Sequence, residues 1–339
     1  MPARRADVAR LAGTSPAVVS YVLNGGPRGV APETRARVLN AVELLGYRPN
    51  GVARSLRTSR TSTLGLVLPD MANPFFAAVA RAVEDAAVDA GYTLLVGNTS
   101  EDPARQVTYV RTFLARQVDG LLLVPCSAPF DLLHDLDRAQ VPWLLLDRLV
   151  PGLDVSSVVV DNRDGASVAT HHLIEHGHRR IACIAGPPDL DSSRSRVDGW
   201  RSAMQDAGLP LSAPIHASFG RKAGYHAALS LIDTSNVDAC FVASDEQALG
   251  VLRALAERGL RCPGDVAMAS FDGIAAGAYA TPALTTVAQP FADIGRAAIA
   301  GLLERIDRPA RKPTTAVLPV TLLRRGSCGC PDPPGGEAQ

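Results

Sequence analysis

The stretch "ADVARLAGTSPAVVSYVLN", residues 6–24, decides how the chain begins. Val8, Leu11 and Ala12 recur at helical spacing, Gly13-Thr14-Ser15-Pro16 interrupts them, and Val19, Val22 and Leu23 resume the pattern. This predicts two short helices joined by a tight turn. Ser15 is a good N-cap and Pro16 suits the first helical position, so the second helix starts there with its amide end free to meet a phosphate. A third amphipathic segment, "PETRARVLNAVELLGY" (32–47), places Val38, Leu39, Val42 and Leu45 on one face and can close a three-helix core. A helical cap packed on a larger body is the alternative. Against it stand the tight turn and the polar residues Ser20, Tyr21 and Asn24 along the second helix, expected to be exposed.

Charge separates this segment from the rest. The 339 residues carry no net charge, yet residues 1–60 contain ten Arg and three acids, leaving the remainder equally acidic. A basic module before an acidic body is the asymmetry expected when one end meets a polyanion. The arginine-dominated basic content reads as codon bias and implies nothing about recognition. Arg4, Arg5, Asp7 and Arg10 interrupt any secretory h-region, and no apolar run approaches the ~18 residues of a membrane span. A cytoplasmic location without membrane contact is expected, and six scattered cysteines fit a reducing compartment.

The body alternates by type. "TLGLVLPD" (63–70), "YTLLVGN" (92–98), "VDGLLLVP" (118–125), "VPWLLLD" (141–147), "RRIACIAG" (179–186), "DACFVASD" (238–245) and "DVAMASFD" (265–272) are continuous apolar runs suited to strands buried on both faces. Amphipathic stretches such as "FFAAVARAVEDAAVDAG" (75–91) and "EQALGVLRALAERG" (246–259) lie between most of them, which is the parallel α/β signature. More than ten strand candidates exceed one small sheet, and a break near "DVSSVVVDN" (154–162) suggests two similar halves with a ligand cleft at their strand ends. Polar residues just past strand ends are the cleft candidates: Asp147, Asp245 and Asp272, with Asn73, Phe75 and Phe76 opening the first helix of the body. Carboxylates, guanidinium groups and an aromatic face together suit a sugar.

"DVARLAGTSPAVVSYVLN", "ETRARVLNAVELLGYRPN" (33–50) and "VARSLRTSRTSTLGLVLPDMANPFF" (52–76) resemble the LacI/GalR family of bacterial transcription repressors, and similar segments continue through "DGIAAGAYATPALTTVAQP" (272–290) to "RGSCG" (325–329). The resemblance implies an all-α helix-turn-helix headpiece plus an α/β periplasmic-binding-protein-like core of two parallel-sheet subdomains. The implied boundaries are a headpiece at 1–48, a hinge helix and linker at 49–60, a core at 61–327, and a flexible tail at 328–339. Within the core, an N-subdomain takes about 61–160 plus 290–322, and a C-subdomain about 161–289 plus the C-terminal end.

The resemblance also assigns roles. Pro16, Ala17 and Tyr21 fall where family members contact bases, and Ser15, Ser20, Asn24, Tyr47 and Asn50 fall at backbone-contacting or positioning sites, with Arg28 as a phosphate ligand. Tyr21 stands where many members have Arg or His, and Val18 where many have Thr, so the operator does not carry over. Tyr cannot make the bidentate guanine contact of Arg. "NGVARSLRT" (50–58) is too short to be a stable helix alone. By resemblance it pairs with the same segment of a second subunit, inserting Leu56 into the minor groove while Arg54 and Arg57 contact the backbone. Arg196 and Asp272 match the positions that clasp effector, with Phe75, Asp147, Phe219, Ser244 and Gln289 as further lining, joined by Asn73 and Asp245 from the strand-end reading.

The implied function is a sequence-specific repressor whose partners are a near-palindromic double-stranded operator, a small-molecule effector of carbohydrate type, and a second copy of itself. A corepressor-dependent regulator or an activator on the same scaffold, or a solute-binding receptor, are the alternatives. No cofactor, metal or enzymatic activity is expected. His172-Leu-Ile-Glu-His176 matches a zinc-peptidase pattern, but it sits in an amphipathic stretch with no obvious third ligand in sequence. Cys328-Gly-Cys330 supplies two further metal-type ligands without evident partners.

Overall fold

The computed structural model describes residues 3–24, 29–48, 60–126, 130–234 and 236–331. It divides into two compact units, 1–61 and 62–339. The expected hinge segment, with Asn50, Arg54, Leu56 and Arg57, lies outside the described residues, as does Arg28.

In the first unit, α1 (Arg5–Leu11), α2 (Pro16–Asn24) and α3 (Pro32–Leu44) surround a small core of Val8, Ala9, Ala12, Val19, Val22, Val38 and Ala41. The backbone amide of Val18 donates to Ser15 Oγ at 3.3 Å, the capping bond expected of that serine. Gly13 has a φ of +61°, and this left-handed residue lets the chain reverse between α1 and α2. Two expected core positions are exposed, Leu11 and Leu39, while the small residues Ala9 and Ala41 are buried instead. Three helices this short meet closely along alanine, and a leucine one position round the wheel is left outside. Ser20 is also corrected: it is buried, not exposed.

The second unit holds two sheets. β1 (Thr63–Leu68), α4 (Pro74–Asp89), β2 (Thr93–Asn98), α5 (Pro103–Ala115), β3 (Gly120–Leu123), α6 (Phe130–Ala139), β4 (Trp143–Leu146) and β5 (Ser157–Val160) begin the N-subdomain. The C-subdomain follows with α7 (Asn162–Glu175), β6 (Ile181–Ala185), α8 (Asp191–Asp206), β7 (Ile215–His216), α9 (Arg221–Thr234), β8 (Ala239–Val242), α10 (Asp245–Glu257), β9 (Ala267–Asp272), α11 (Ala275–Ala278) and β10 (Thr285–Ala288). The chain then returns through α12 (Phe291–Asp307) and β11 (Thr315–Leu318) to the first sheet. It crosses again to β12 (Thr321–Leu323) and a 3₁₀ turn at Gly326–Cys328.

The first sheet has strand order β2-β1-β3-β4-β5-β11 and the second β7-β6-β8-β9-β10-β12, so the two halves repeat one doubly wound topology. All strand pairs are parallel except β10 with β12. The interior strands β3, β6 and β8 bury both faces, which is why their sequences are apolar runs without alternation. The edge strand β2, read from its apolar run as buried on both faces, instead keeps exposed positions, as do the edge strands β11 and β12. Trp200 on α8 is fully buried, with its indole N–H donating to Ile181 O at 3.2 Å. Placing β12 on the second sheet moves residues 321–322 out of the N-subdomain to which the sequence assigned them. The start of the expected tail is corrected: Cys328 is buried beside Ser327, while residues 332–339 of that tail lie outside the described residues. The Ser327 hydroxyl donates to Met268 O at 2.8 Å and accepts from the Thr285 amide at 2.8 Å, which explains why these residues do not trail off.

Candidate functional sites: a helix-turn-helix face and a cleft between two sheets

On the headpiece, Ser15, Pro16 and Ala17 are exposed at the amino end of α2, where the helix dipole favours an anion. Tyr21 is one turn further along and half-buried. Tyr47 packs against the headpiece core, so its place is set by apolar contact as much as by its hydroxyl. Asn24 ends α2.

In the core, a narrow cleft is lined by Asn73, Phe75, Phe76, Asp147 and Arg148 from the N-subdomain and by Ser192, Arg196, Phe219 and Asp272 from the C-subdomain. The two sides arise from equivalent places in the repeated topology. Asn73 caps α4 just after β1, accepting from the Phe75 amide at 3.0 Å, and Ser192 and Arg196 lie on α8 just after β6. These are the switch points of the two sheets, where adjacent loops part and leave a crevice. Asn73 Nδ2 also donates across the cleft to Phe219 O at 3.3 Å.

Arg196 is held from several directions. Its Nε donates to Asn162 Oδ1 at 2.8 Å, Nη1 donates to Ala243 O at 2.6 Å and to Asp272 Oδ1 at 3.3 Å, and the guanidinium carbon lies 3.8 Å from the centre of the Phe271 ring. A buried cation with bonded nitrogens over an aromatic face is a rigid recognition element. Gln289 Nε2 donates to the same Asp272 oxygen at 3.0 Å, so Gln289 positions the carboxylate while lining a small adjoining cavity. Phe219 stands 5.8 Å from the Arg196 guanidinium, at the cleft rather than in the core.

The acidic residues sit in costly surroundings. Asp147 and Asp272 both have positive φ, +68° and +118°, conformations in which non-glycine residues are sparse and which recur at functional sites. Burial raises the Asp272 carboxyl to about 8; Arg196 opposes this, while Asp245 and Asp147 add to it. Burial likewise raises Asp147, against the pull of Arg148 and Arg196.

Two residues expected in the lining serve the scaffold instead. Ser244 caps α10, accepting from the Gln247 amide at 3.2 Å. Asp245 is enclosed, accepting from Ser270 Oγ at 2.5 Å, Thr286 Oγ1 at 2.7 Å and the Ile274 amide at 2.8 Å, so its carboxylate ties β9, β10 and α11 together. Burial raises its carboxyl to about 6. Arg148 and Ser192 line the cleft without having been singled out in sequence. Arg148 directly follows Asp147 at a strand end and had a readable signal; Ser192 had none. Arg148 is buried, bonded to Pro125 O at 2.9 Å and to Glu101 Oε1 at 3.2 Å.

Comparison with known proteins places both modules in families. Residues 6–50 match the family model described as bacterial regulatory proteins, lacI family, and residues 170–328 match that of a periplasmic binding protein-like domain. The ribose operon repressor of Escherichia coli (strain K12) is 36% identical over 95% of this chain and 98% of its own. The chain belongs to the lacI family of bacterial regulatory proteins. Among solved structures, the lac repressor dimer bound to operator and the anti-inducer ONPF superposes with a TM-score of 0.87 at 27% identity, covering 97% of this chain and 99% of that one. The complex of the transcriptional regulator CelR with cellobiose is 34% identical with a TM-score of 0.73, covering 96% and 99%. In this lacI-family chain the headpiece is the DNA-binding module and the two-sheet core the effector-responsive one. Among the described residues no helix is long and apolar enough to cross a membrane.

A second cluster lies apart from the cleft. His172 on α7 and His176 at its C-cap, four residues apart, meet Cys328 and Cys330, so the partners missing from the sequence reading come from the far end of the chain.

Proposed function

We propose that this chain is a cytoplasmic, homodimeric repressor that leaves its operator when a carbohydrate fills the cleft, with no catalytic activity of its own. The observation that carries this reading is the Arg196–Asp272 pair, buried and braced on the C-subdomain wall, facing Phe75, Phe76 and Asp147 of the N-subdomain. Arg196 and Gln289 both reach Asp272 Oδ1, which leaves Oδ2 to accept from a ligand hydroxyl, and Phe219 and Phe75 offer apolar surface to the C–H face of a sugar ring. The cellobiose in the CelR complex supports the carbohydrate class.

The cleft draws groups from both subdomains, so a ligand held there interacts differently with open and closed arrangements. That difference is the free energy available to alter DNA affinity. On the headpiece, Pro16, Ala17 and Tyr21 are assigned to bases. Ser15, Ser20, Asn24, Tyr47, Asn50, Arg28 and Arg54 are assigned to the backbone or to positioning, and Leu56 to a minor-groove wedge. One headpiece reads only a few base pairs, so two related by a dyad select a near-palindromic site.

Sites selected from random DNA by the full-length protein test the DNA half of this reading, and two half-sites about a dyad are expected. A panel of mono- and disaccharides screened by thermal shift tests the other half. The sugar that stabilises the parent is expected to release operator from the parent and not from a folded Arg196→Ala variant. Selected sites without a dyad, or a stabilising sugar that acts equally on the variant, would defeat the proposal.

A further inference from the structure

Outside the cleft, His172, His176, Cys328 and Cys330 form the group of four histidine and cysteine donors that the core brings to a point. The two imidazoles come from the last turn of α7 and its C-cap in a His-x-x-x-His spacing, the two sulfurs from the segment after β12, more than 150 residues later. Sequence neighbours do not create this meeting. The 3₁₀ turn ending at Cys328 is pinned by Ser327 and by Arg325, whose amide donates to Thr285 Oγ1 at 2.8 Å. Gly329 then takes a φ of +96°, and this left-handed step between the cysteines brings Cys330 to the same side as Cys328.

Cys328 Sγ lies 3.2 Å from His172 Nε2, and Cys330 Sγ lies 3.7 Å from His172 Nε2 and 3.5 Å from His176 Nε2. All four donor atoms fall within 4.8 Å of one another. Zinc bonds of ~2.0–2.1 Å to nitrogen and ~2.3 Å to sulfur in a tetrahedron separate the donors by roughly 3.3–3.8 Å, close to the three sulfur–nitrogen distances above. All six cysteines, these two included, are free thiols. Around the donors stand the groups that ordinarily steady such a site. Thr285 Oγ1 is 3.0 Å from Cys328 Sγ and can donate to a thiolate, and Glu175 Oε2 lies 4.0 Å from His172 Nδ1, the ring nitrogen facing away from the sulfurs.

We propose that these four side chains bind one zinc-type divalent cation, which clasps the C-terminal segment to α7. Binding releases two thiol protons to solvent, and two thiolates with two neutral imidazoles leave the site with no net charge, as suits its half-buried position. Four protein ligands fill the tetrahedron, so the site is closed and structural; no position remains for a metal-bound water. The peptidase reading of His-x-x-Glu-His therefore fails for a positive reason. Glu175 is exposed and stands behind a ligand instead of facing a substrate. The clasp lies wholly within the C-subdomain and is independent of the effector reading.

The test uses full-length protein carrying no affinity tag that binds metal. Elemental analysis after dialysis is expected to find about one zinc per chain, and Co²⁺ loaded in its place is expected to give thiolate-to-cobalt charge transfer and the intense visible bands of four-coordinate geometry. His176→Ala and Cys330→Ser, at the less buried half of the site, are expected to keep the fold and operator binding while retaining less than about a tenth of the metal. Chelation is expected to lower the parent's thermal midpoint by roughly 4 °C or more and leave that of Cys330→Ser unmoved. A parent that binds neither zinc nor cobalt, a cobalt spectrum without sulfur charge transfer, or variants that hold metal as the parent does would each overturn the proposal. The cobalt spectrum of the parent decides the matter even if a variant does not fold.

Discussion

The cleft and the histidine–cysteine cluster are both gatherings of ionisable side chains in the same core, and they differ in where their members come from. Asp147 and Arg148 belong to one subdomain and Arg196 and Asp272 to the other, so the cleft's geometry changes when the subdomains move apart. The four cluster residues belong to α7 with its C-cap and to the end of the chain, both packed on the second sheet, so that geometry survives the same motion. A ligand shared between moving bodies can bias an equilibrium between conformations; one held within a single body can only stabilise it. Ligand chemistry follows the same division: an open site with unspent acceptors for hydroxyl groups, and a closed one whose donors suit a single ion.

The largest expected effect breaks the cleft alone. Arg196→Ala removes a charge-assisted bond of about 1.5–3 kcal/mol, so effector affinity is expected to fall roughly 10- to 100-fold by calorimetry, with operator affinity in the absence of effector unchanged. Asp272→Asn is the companion variant. It keeps a residue that tolerates positive φ but loses the charge, and a similar loss is expected.

Acidity provides the next test. Burial has raised Asp272 to about 8, and a hydroxyl donating to it favours the charged form, so effector binding expels a proton at neutral pH. Affinity is therefore expected to rise with pH toward 8, by up to tenfold per unit, with proton release detectable by calorimetry in buffers of differing ionisation heat. Stability runs the other way. With Asp272 and Asp245 raised, the folded chain binds more protons than the unfolded one, so their contribution is full below about pH 4 and is lost as pH climbs through about 6 and then about 8. Urea titrations across that window check the sign.

Smaller effects separate lining from scaffold. Phe219→Ala removes one aromatic face and is expected to weaken effector binding by about 2- to 10-fold. Ser244→Ala is expected to cost about 1 kcal/mol in urea unfolding, the worth of a helix cap, with no change in effector affinity. An effector defect in Ser244→Ala would return that residue to the cleft.

Much of this was legible in sequence because it rests on local rules. Apolar runs marked strands buried on both faces, Ser15-Pro16 marked the start of α2, and strand-end positions marked Asp147 and Asp272. Ser244 and Asp245 share the strand-end signal but turn inward, since a cap and an internal tie use the same residue types as a ligand site. Leu39 was misplaced because helical periodicity cannot tell which side of a three-helix core is closed by alanine. The metal-type cluster was invisible as a whole. Each half has a weak pattern, and only the return of the chain past β12 joins them.

In the proposed function, a sugar bridging the two subdomains is read out at the headpiece. The direct measurement is fluorescence anisotropy of a labelled selected operator with full-length protein, parent and Asp272→Asn, titrated with the sugar that stabilises the parent. Release from the parent and retention by the variant at the same sugar concentration is the predicted result. Equal release from both, or a sugar that tightens operator binding, would contradict it.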